Sequence, residues 1–125
     1  VSNSNSVKLI CIIKKFNLDK KFSYRRGYFS SQVYGMVHDF HYDDIASRYN
    51  QIITVMFYLN RTWTMEYSGE TVFLTEDWKD IQHSVIPKPG RAVLFDGYIP
   101  HAAREVSRTC IELRMVATFK YEANE

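Results

Sequence analysis

Residues Thr109–Tyr121 read TCIELRMVATFKY, and they alternate. Ile111, Leu113, Met115, Ala117 and Phe119 fall on one side of an extended chain. Cys110, Glu112, Arg114, Val116, Thr118 and Lys120 fall on the other. A period of two is the mark of a β-strand, because successive side chains leave a strand on opposite faces. Upstream, Arg91–Asp96 (RAVLFD) reads as a strand between the Pro87-Lys88-Pro89-Gly90 turn and Gly97. Glu70–Leu74 (ETVFL) is another, entered from the polar connection Asn60–Gly69. Gln51–Leu59 (QIITVMFYL) is β-branched and aromatic throughout, short enough for a strand buried on both faces. Tyr24–Tyr34 has the look of an extended segment with its turns. Val7–Phe16 reads as a strand or a short helix, and Val1–Ser6 as a frayed end. Short strands at this spacing, with little room for long helices after residue 50, give a mainly β chain: a sandwich or a barrel.

The 125 residues suffice for one domain, taken as 1–125, and 46% apolar with 15% aromatic content excludes disorder over most of it. The longest apolar run, Leu9–Ile13, is too short for a membrane span or a signal peptide. With only Cys11 and Cys110 this is no disulfide scaffold, and the expected setting is reducing and cytoplasmic. The chain opens on Val1 rather than Met, which fits a start inside a longer chain or after processing, so a missing targeting signal weighs little. The net charge of +2 hides an uneven spread: residues 1–26 hold seven basic groups against Asp19 alone. Such an arm suits nucleic acid or an acidic partner, but a solvated face is the plainer reading.

The chemistry gathers at His41-Tyr42-Asp43. In an extended segment residues i and i+2 point to the same side, so an imidazole and a carboxylate can share one metal ion. His101, following the strand that ends in Phe95-Asp96, is the best third ligand. Two His and one carboxylate leave half of an octahedral ion open, the arrangement of non-haem Fe(II) oxygenases; zinc hydrolases use the same ligand set. His38 has no carboxylate two positions on, and His83, in the polar Gln82-His83-Ser84, is expected to face solvent.

Four stretches, in order, resemble the 2-oxoglutarate- and Fe(II)-dependent dioxygenases, in particular the prolyl 4-hydroxylase-like branch. VYGMVHDFHYDD (33–44) is similar to the family's first strand with its His-x-Asp pair. ITVMFYLNRTW (53–63) is similar to its Tyr-Leu-Asn strand, YSGETVFL (67–74) to its Gly-Glu-Thr strand, and PKPGRAVLFDGYIPHAAREV (87–106) to its Pro-x-x-Gly turn, strand and distal His. The resemblance covers about 30–121. It implies a double-stranded β-helix, a jelly-roll or cupin-like barrel, with little helix and that mostly N-terminal.

It further implies Fe(II) held by His41, Asp43 and His101, with 2-oxoglutarate as co-substrate and ascorbate as a rescuer of oxidised iron. The far carboxylate of 2-oxoglutarate then needs a cation on the last core strand. Arg114 fits, although it lies thirteen residues after His101 where the family usually has about ten; Arg108, seven after, sits in the connecting loop. The alternative for Arg114 is a surface pair with Glu112. Tyr58 would donate to the same carboxylate, with Thr118, Tyr34 and Met56 as pocket neighbours. The implied reaction hydroxylates an unactivated C–H with release of succinate and CO₂. A prolyl residue of a peptide or protein is the first choice of substrate, with another protein side chain or a small molecule nearly as good. A nucleic-acid substrate fits poorly, because Lys120 stands where that branch carries a second Arg. A non-catalytic β-barrel binding module and a zinc hydrolase are the other classes. No membrane partner is expected. About thirty residues precede the matched region, fewer than the helices that usually brace the barrel. Bare apolar sheet surface there would favour a homodimer over a monomer.

Overall fold

The computed structural model describes residues 21–43 and 51–124. The readings of Val1–Ser6 and Val7–Phe16, the expectation of N-terminal helix and most of the basic stretch fall outside the described residues. The alternating C-terminal stretch becomes β7 (Arg114–Ala123), the strand that organises the larger sheet. It pairs antiparallel with β1 (Phe22–Gln32) on one side and β2 (Ile52–Tyr58) on the other, and β2 pairs in turn with β5 (Ala92–Asp96). The order is β1-β7-β2-β5. The smaller sheet has β3 (Thr71–Leu74) between β4 (Ile81–Val85) and β6 (His101–Ala103), and a single bridge from His41 to His101 extends it. Along the sequence the chain therefore crosses back and forth between two facing antiparallel sheets. That is the expected double-stranded β-helix.

Each strand's composition explains its place. β2 is buried at every position, as an apolar strand with packing on both faces must be. Its outward side chains Ile53, Val55 and Phe57 cluster with Ala117 and Tyr121 of β7. Its inward Met56 and Tyr58 pack with Phe73, Phe95 and Val116 between the sheets. Burying one such side chain stabilises the fold by roughly 1.5–3 kcal/mol, so these two clusters carry much of it. The outer face of β2 is thus covered, with Val55 at 0% and Phe57 at 3% exposure. The flanking strands are less covered: on the same outer face Phe29 of β1, Leu94 of β5 and Met115 of β7 stay exposed. Among the described residues no helix is long and apolar enough to cross a membrane.

Three elements depart from the sequence reading. β4 forms in the polar IQHSV stretch; its residues are exposed apart from Val85, and it needs only the ladder to β3, not a buried face. His83 does face solvent. Residues 33–43 form a turn and an irregular connection rather than a first strand. Gly35 takes φ +90°, and the Gln32 side-chain amide closes the turn by donating to the main-chain oxygens of Met36 and Arg104. Finally, β7 starts at Arg114, not Thr109, because β1 ends opposite it at Gln32 and offers no partner further back. Ile111 and Leu113 consequently project into solvent. The face of β7 that looked polar is an interior one: Arg114, Val116, Thr118 and Lys120 are all buried.

Candidate functional site

The bridge between His41 and His101 sets the site. Each main-chain N–H donates to the other residue's carbonyl at 3.1 Å, and Asp43 N–H donates to the Gly97 carbonyl at 3.0 Å. The irregular segment is thereby stitched to β6 and to the turn after β5. Gly97 has to be small: a Cβ there would come within 3.2 Å of Ile52 and 3.3 Å of the Asp43 Cβ. His41 and Asp43 project to the same side, as their i, i+2 spacing requires. His101 Nε2 lies 3.1 Å from Asp43 Oδ1, and His41 Nε2 lies 4.0 Å from the same oxygen. One ligand atom from each of the three residues falls within 4.8 Å of the others.

The rings are oriented for lone-pair donation. Nδ1 of His101 lies 2.7 Å from the Ile99 carbonyl, and Nδ1 of His41 lies 2.9 Å from that of Asp39. A carbonyl only accepts, so each Nδ1 carries a proton, which leaves each Nε2 pointing inward as the atom that can take a metal ion or, without one, a proton. Phe73 and Phe95 pack on the His101 ring. Asp43 is equally fixed. Its Oδ2 accepts a hydrogen bond from Thr54 of β2, and Lys120 Nζ lies 3.4 Å from Oδ1. Burial would raise the Asp43 pKa; hydrogen bonding and charge from His101, with help from Thr54 and Lys120, lower it to about 2. The carboxylate is ionised throughout the physiological range.

A cavity of about 190 Å³ runs from this cluster between the sheets. His41, Asp43 and His101 line one part of it. Met56, Thr71, Arg114, Val116 and Thr118 line the rest, with Tyr28, Ser30, Gln32 and His38 around them. Arg114 is 4% exposed and has no ion-pair partner among the described residues. Its Nε donates to the Gly69 carbonyl at 2.6 Å and an Nη to Thr71 Oγ1 at 2.9 Å. Burial pulls its pKa below the ordinary guanidinium value, opposed by Tyr58 and Glu70. Gly69 makes room for the stem: at φ +71° a Cβ would meet Val106 at 2.9 Å and the Arg114 Cδ at 3.2 Å. A cation buried this way costs stability until an anion joins it.

The sequence profile of the 2OG-Fe(II) oxygenase superfamily matches residues 29–121. The chain belongs to that superfamily. A search of curated proteins found no match. Among solved structures, a prolyl-4-hydroxylase from Pseudomonas putida superposes with a TM-score of 0.71 at 18% identity, covering 96% of this chain and 62% of that one. A prolyl 4-hydroxylase from Phytophthora capsici gives 0.70 at 19%, covering 95% and 40%. A prolyl hydroxylase from Trichoplax adhaerens, in complex with a hypoxia inducible factor oxygen degradation domain peptide fragment, gives 0.67 at 16%, covering 94% and 56%. At these identities the likeness is one of fold, and the chain spans between two fifths and two thirds of their lengths.

The residues present fit the superfamily's Fe(II) and 2-oxoglutarate. Two imidazole nitrogens and a carboxylate oxygen facing one another need a shared cation, a proton or a metal ion, between them. Two ligand atoms bound at right angles to a first-row ion stand about 3.0 Å apart; the His101–Asp43 separation already matches, and the half-exposed His41 ring, 4.0 Å from the same Asp43 oxygen, would move closer on binding. Arg114 supplies a charge for a carboxylate deeper in the cavity.

The remaining expectations divide. Met56 and Thr118 line the cavity as expected. Tyr34 does not: it stands at the turn after β1 with 54% exposure, because β1 ends two residues earlier. Tyr58 is fully buried behind the lining. Its hydroxyl is 2.7 Å from Thr71 Oγ1, and the Arg114 guanidinium lies 5.5 Å from its ring. It therefore orients Thr71, which faces the cavity and which the sequence reading passed over. Arg108 is exposed in the loop. Glu112 is engaged by Thr62 at 2.6 Å and by Asn60, not by Arg114. Asn60, the Asn of Tyr-Leu-Asn, was also overlooked: its Oδ1 accepts from Met115 N–H at 2.8 Å and its amide donates to the Leu113 carbonyl, pinning the start of β7 and so Arg114.

Proposed function

We propose that this chain is the catalytic barrel of a 2-oxoglutarate-dependent dioxygenase that hydroxylates an unactivated C–H, with a prolyl residue of a peptide as its substrate. The observation that carries the reading is one cavity with a lone-pair triad in one part and an anion-seeking guanidinium in another. His41, Asp43 and His101 are the residues that would hold Fe(II), which when bound supplies the oxygen chemistry and the point of chelation for the keto acid.

The chain's own residues do the positioning. Arg114 takes the far carboxylate in a bidentate pair, and Thr71, aligned by the Tyr58 hydroxyl, adds a hydrogen bond. Met56 and Val116 give the cavity apolar surface that keeps water from the bound co-substrate. Asp43 stays ionised through Thr54 and Lys120, and the two carbonyl-bound Nδ1 protons keep both imidazoles aimed. At about 190 Å³ the cavity suits a small diacid and is too small to enclose a peptide. The substrate therefore meets the site at the mouth, where the half-exposed His41 and the exposed His38 lie. A peptide substrate is supported by the fold shared with the prolyl hydroxylases and by the peptide bound to the Trichoplax adhaerens enzyme. Ascorbate would keep the iron ferrous between turnovers.

The test is oxygen-dependent conversion of 2-oxoglutarate to succinate by the iron-loaded chain, followed by a peptide screen scored for gain of one oxygen atom by mass. Turnover that vanishes in Asp43→Ala with the fold retained supports the reading; succinate formation unaffected by that change overturns it. A modified peptide carrying the oxygen on a residue other than proline would correct the substrate and leave the reaction standing.

A further inference from the structure

Lys120 helps to keep Asp43 ionised, and its placement allows it a second task. It lies on the interior face of β7, in register with Thr54 of β2, and its side chain is 4% exposed. Its Nζ donates to the Asp43 main-chain carbonyl at 3.1 Å and lies 5.6 Å from the centre of the Tyr28 ring. It is also 3.4 Å from Asp43 Oδ1. That is the oxygen facing both imidazoles, whereas the spare oxygen, Oδ2, is taken by Thr54. An ammonium kept only to hold the carboxylate still would serve better on the spare oxygen. On Oδ1 it acts on whatever Oδ1 binds.

Counting charge shows the consequence. The ionic side chains buried at the site among the described residues are Asp43 and Arg114, which line the cavity, and Lys120, which stands behind Asp43: one negative and two positive; Glu70 is only partly buried and acts on Arg114. The triad alone would hand a divalent ion one full negative charge, and Lys120 offsets it at the ligating oxygen. A bare divalent ion then leaves a buried excess of three positive charges. A doubly charged anion brings it back to one. In a site of low dielectric such an excess is costly, so each charge that enters changes the affinity for the other.

We propose that Lys120 couples the two binding events: it weakens the site's hold on a bare divalent ion, and the dianionic co-substrate restores that hold. This rests on the function proposed above. The device would keep the metal exchangeable in the empty enzyme and firmly held once the keto acid is in place. By linkage, the factor by which 2-oxoglutarate tightens metal binding equals the factor by which metal tightens 2-oxoglutarate.

The experiment titrates Mn²⁺ into the full chain, by calorimetry or by the paramagnetic signal of the free ion, with and without 2-oxoglutarate. It compares wild type with Lys120→Met, which keeps the stem and loses the charge, and with Lys120→Arg. In wild type, 2-oxoglutarate is expected to lower the Mn²⁺ Kd at least ten-fold. Lys120→Met is expected to bind bare Mn²⁺ at least five-fold more tightly than wild type, with a coupling factor at least five-fold smaller. Lys120→Arg is expected to restore the coupling. If Lys120→Met does not fold, Lys120→Gln, which keeps a donor for the Asp43 carbonyl, carries the same comparison. Unchanged coupling in the neutral variant, with bare-metal affinity equal or weaker, overturns the inference alone, because it leaves Lys120 only the task of holding Asp43. A wild-type chain that binds Mn²⁺ and shows no affinity for 2-oxoglutarate overturns the proposed function, and this inference with it.

Discussion

Arg114 offers the sharpest separation between a structural and a binding role, and Arg114→Met is the substitution that makes it. The guanidinium is buried, has no carboxylate partner among the described residues, and is held by the Gly69 carbonyl at 2.6 Å and Thr71 Oγ1 at 2.9 Å. Two effects on the empty protein oppose each other. Losing the charge relieves a desolvation penalty of several kcal/mol. Losing the donors strands the Gly69 carbonyl, at about 1–3 kcal/mol, while Thr71 keeps its bond to Tyr58. The net change in the free protein's stability should therefore be within about 2 kcal/mol in either direction. The co-substrate has no such compensation. Removing one partner of a buried, hydrogen-bonded charge pair costs about 2–5 kcal/mol, and 3 kcal/mol of that range is a loss of about 100-fold in affinity. Calorimetric titration of 2-oxoglutarate into Mn²⁺-loaded protein measures the second quantity, and denaturant unfolding of the free protein measures the first. Arg114→Lys should fall between, since it keeps the charge and gives up the fork. A loss of affinity under five-fold in Arg114→Met, with a loss of stability above about 4 kcal/mol, would show that Arg114 is there to hold Gly69 and Thr71 together, and the argument would fail.

Other consequences follow from single contacts. Thr54→Val removes the hydroxyl that donates to Asp43 Oδ2, and metal affinity should drop about 10–100-fold, read by Mn²⁺ titration; an unchanged Kd would mean that Asp43 needs no second support. Asn60→Ala strands the Met115 N–H and the Leu113 carbonyl at the head of β7, so urea unfolding should show a loss of about 2–4 kcal/mol. The pH dependence has a definite sign. Asp43 is held at about 2, below the 3.8 of an ordinary aspartate, so the folded state binds fewer protons. Its contribution, about 2 kcal/mol, is complete above pH 4 and lost as pH falls through 2. The stability difference between wild type and Asp43→Asn, measured on metal-free protein, should shrink over that interval, and a difference that stays flat would contradict the shift.

The strands that the sequence revealed are those whose burial writes a pattern. β2 is apolar at nearly every position because both faces are covered, and β7 alternates because each face meets different neighbours. β4 and the three-residue β6 carry no such pattern, since ladder pairing to β3 suffices to form them, and only the structure shows them. The same distinction runs through the site. His41 and Asp43 are legible from a spacing of two, and His101 from its place after a strand. Thr71, Asn60 and Lys120 are not. A threonine, an asparagine or a lysine in a strand looks alike whether it faces solvent or a buried carboxylate, and only the register of β7 against β1 and β2 turns that face inward. Tyr34 illustrates the converse error: two residues beyond the end of β1, it is carried out to solvent by the turn at Gly35.

The central claim is that three side chains, up to sixty positions apart in sequence, hold one ferrous ion that a keto acid chelates. The visible absorption spectrum under exclusion of oxygen addresses it directly, because an Fe(II) chelate of a 2-oxo acid has a charge-transfer band that neither component shows alone. Wild type with Fe(II) and 2-oxoglutarate should develop that band at one equivalent of iron, and His101→Ala should not. A wild-type protein that retains iron and 2-oxoglutarate through gel filtration yet shows no such band would contradict the account.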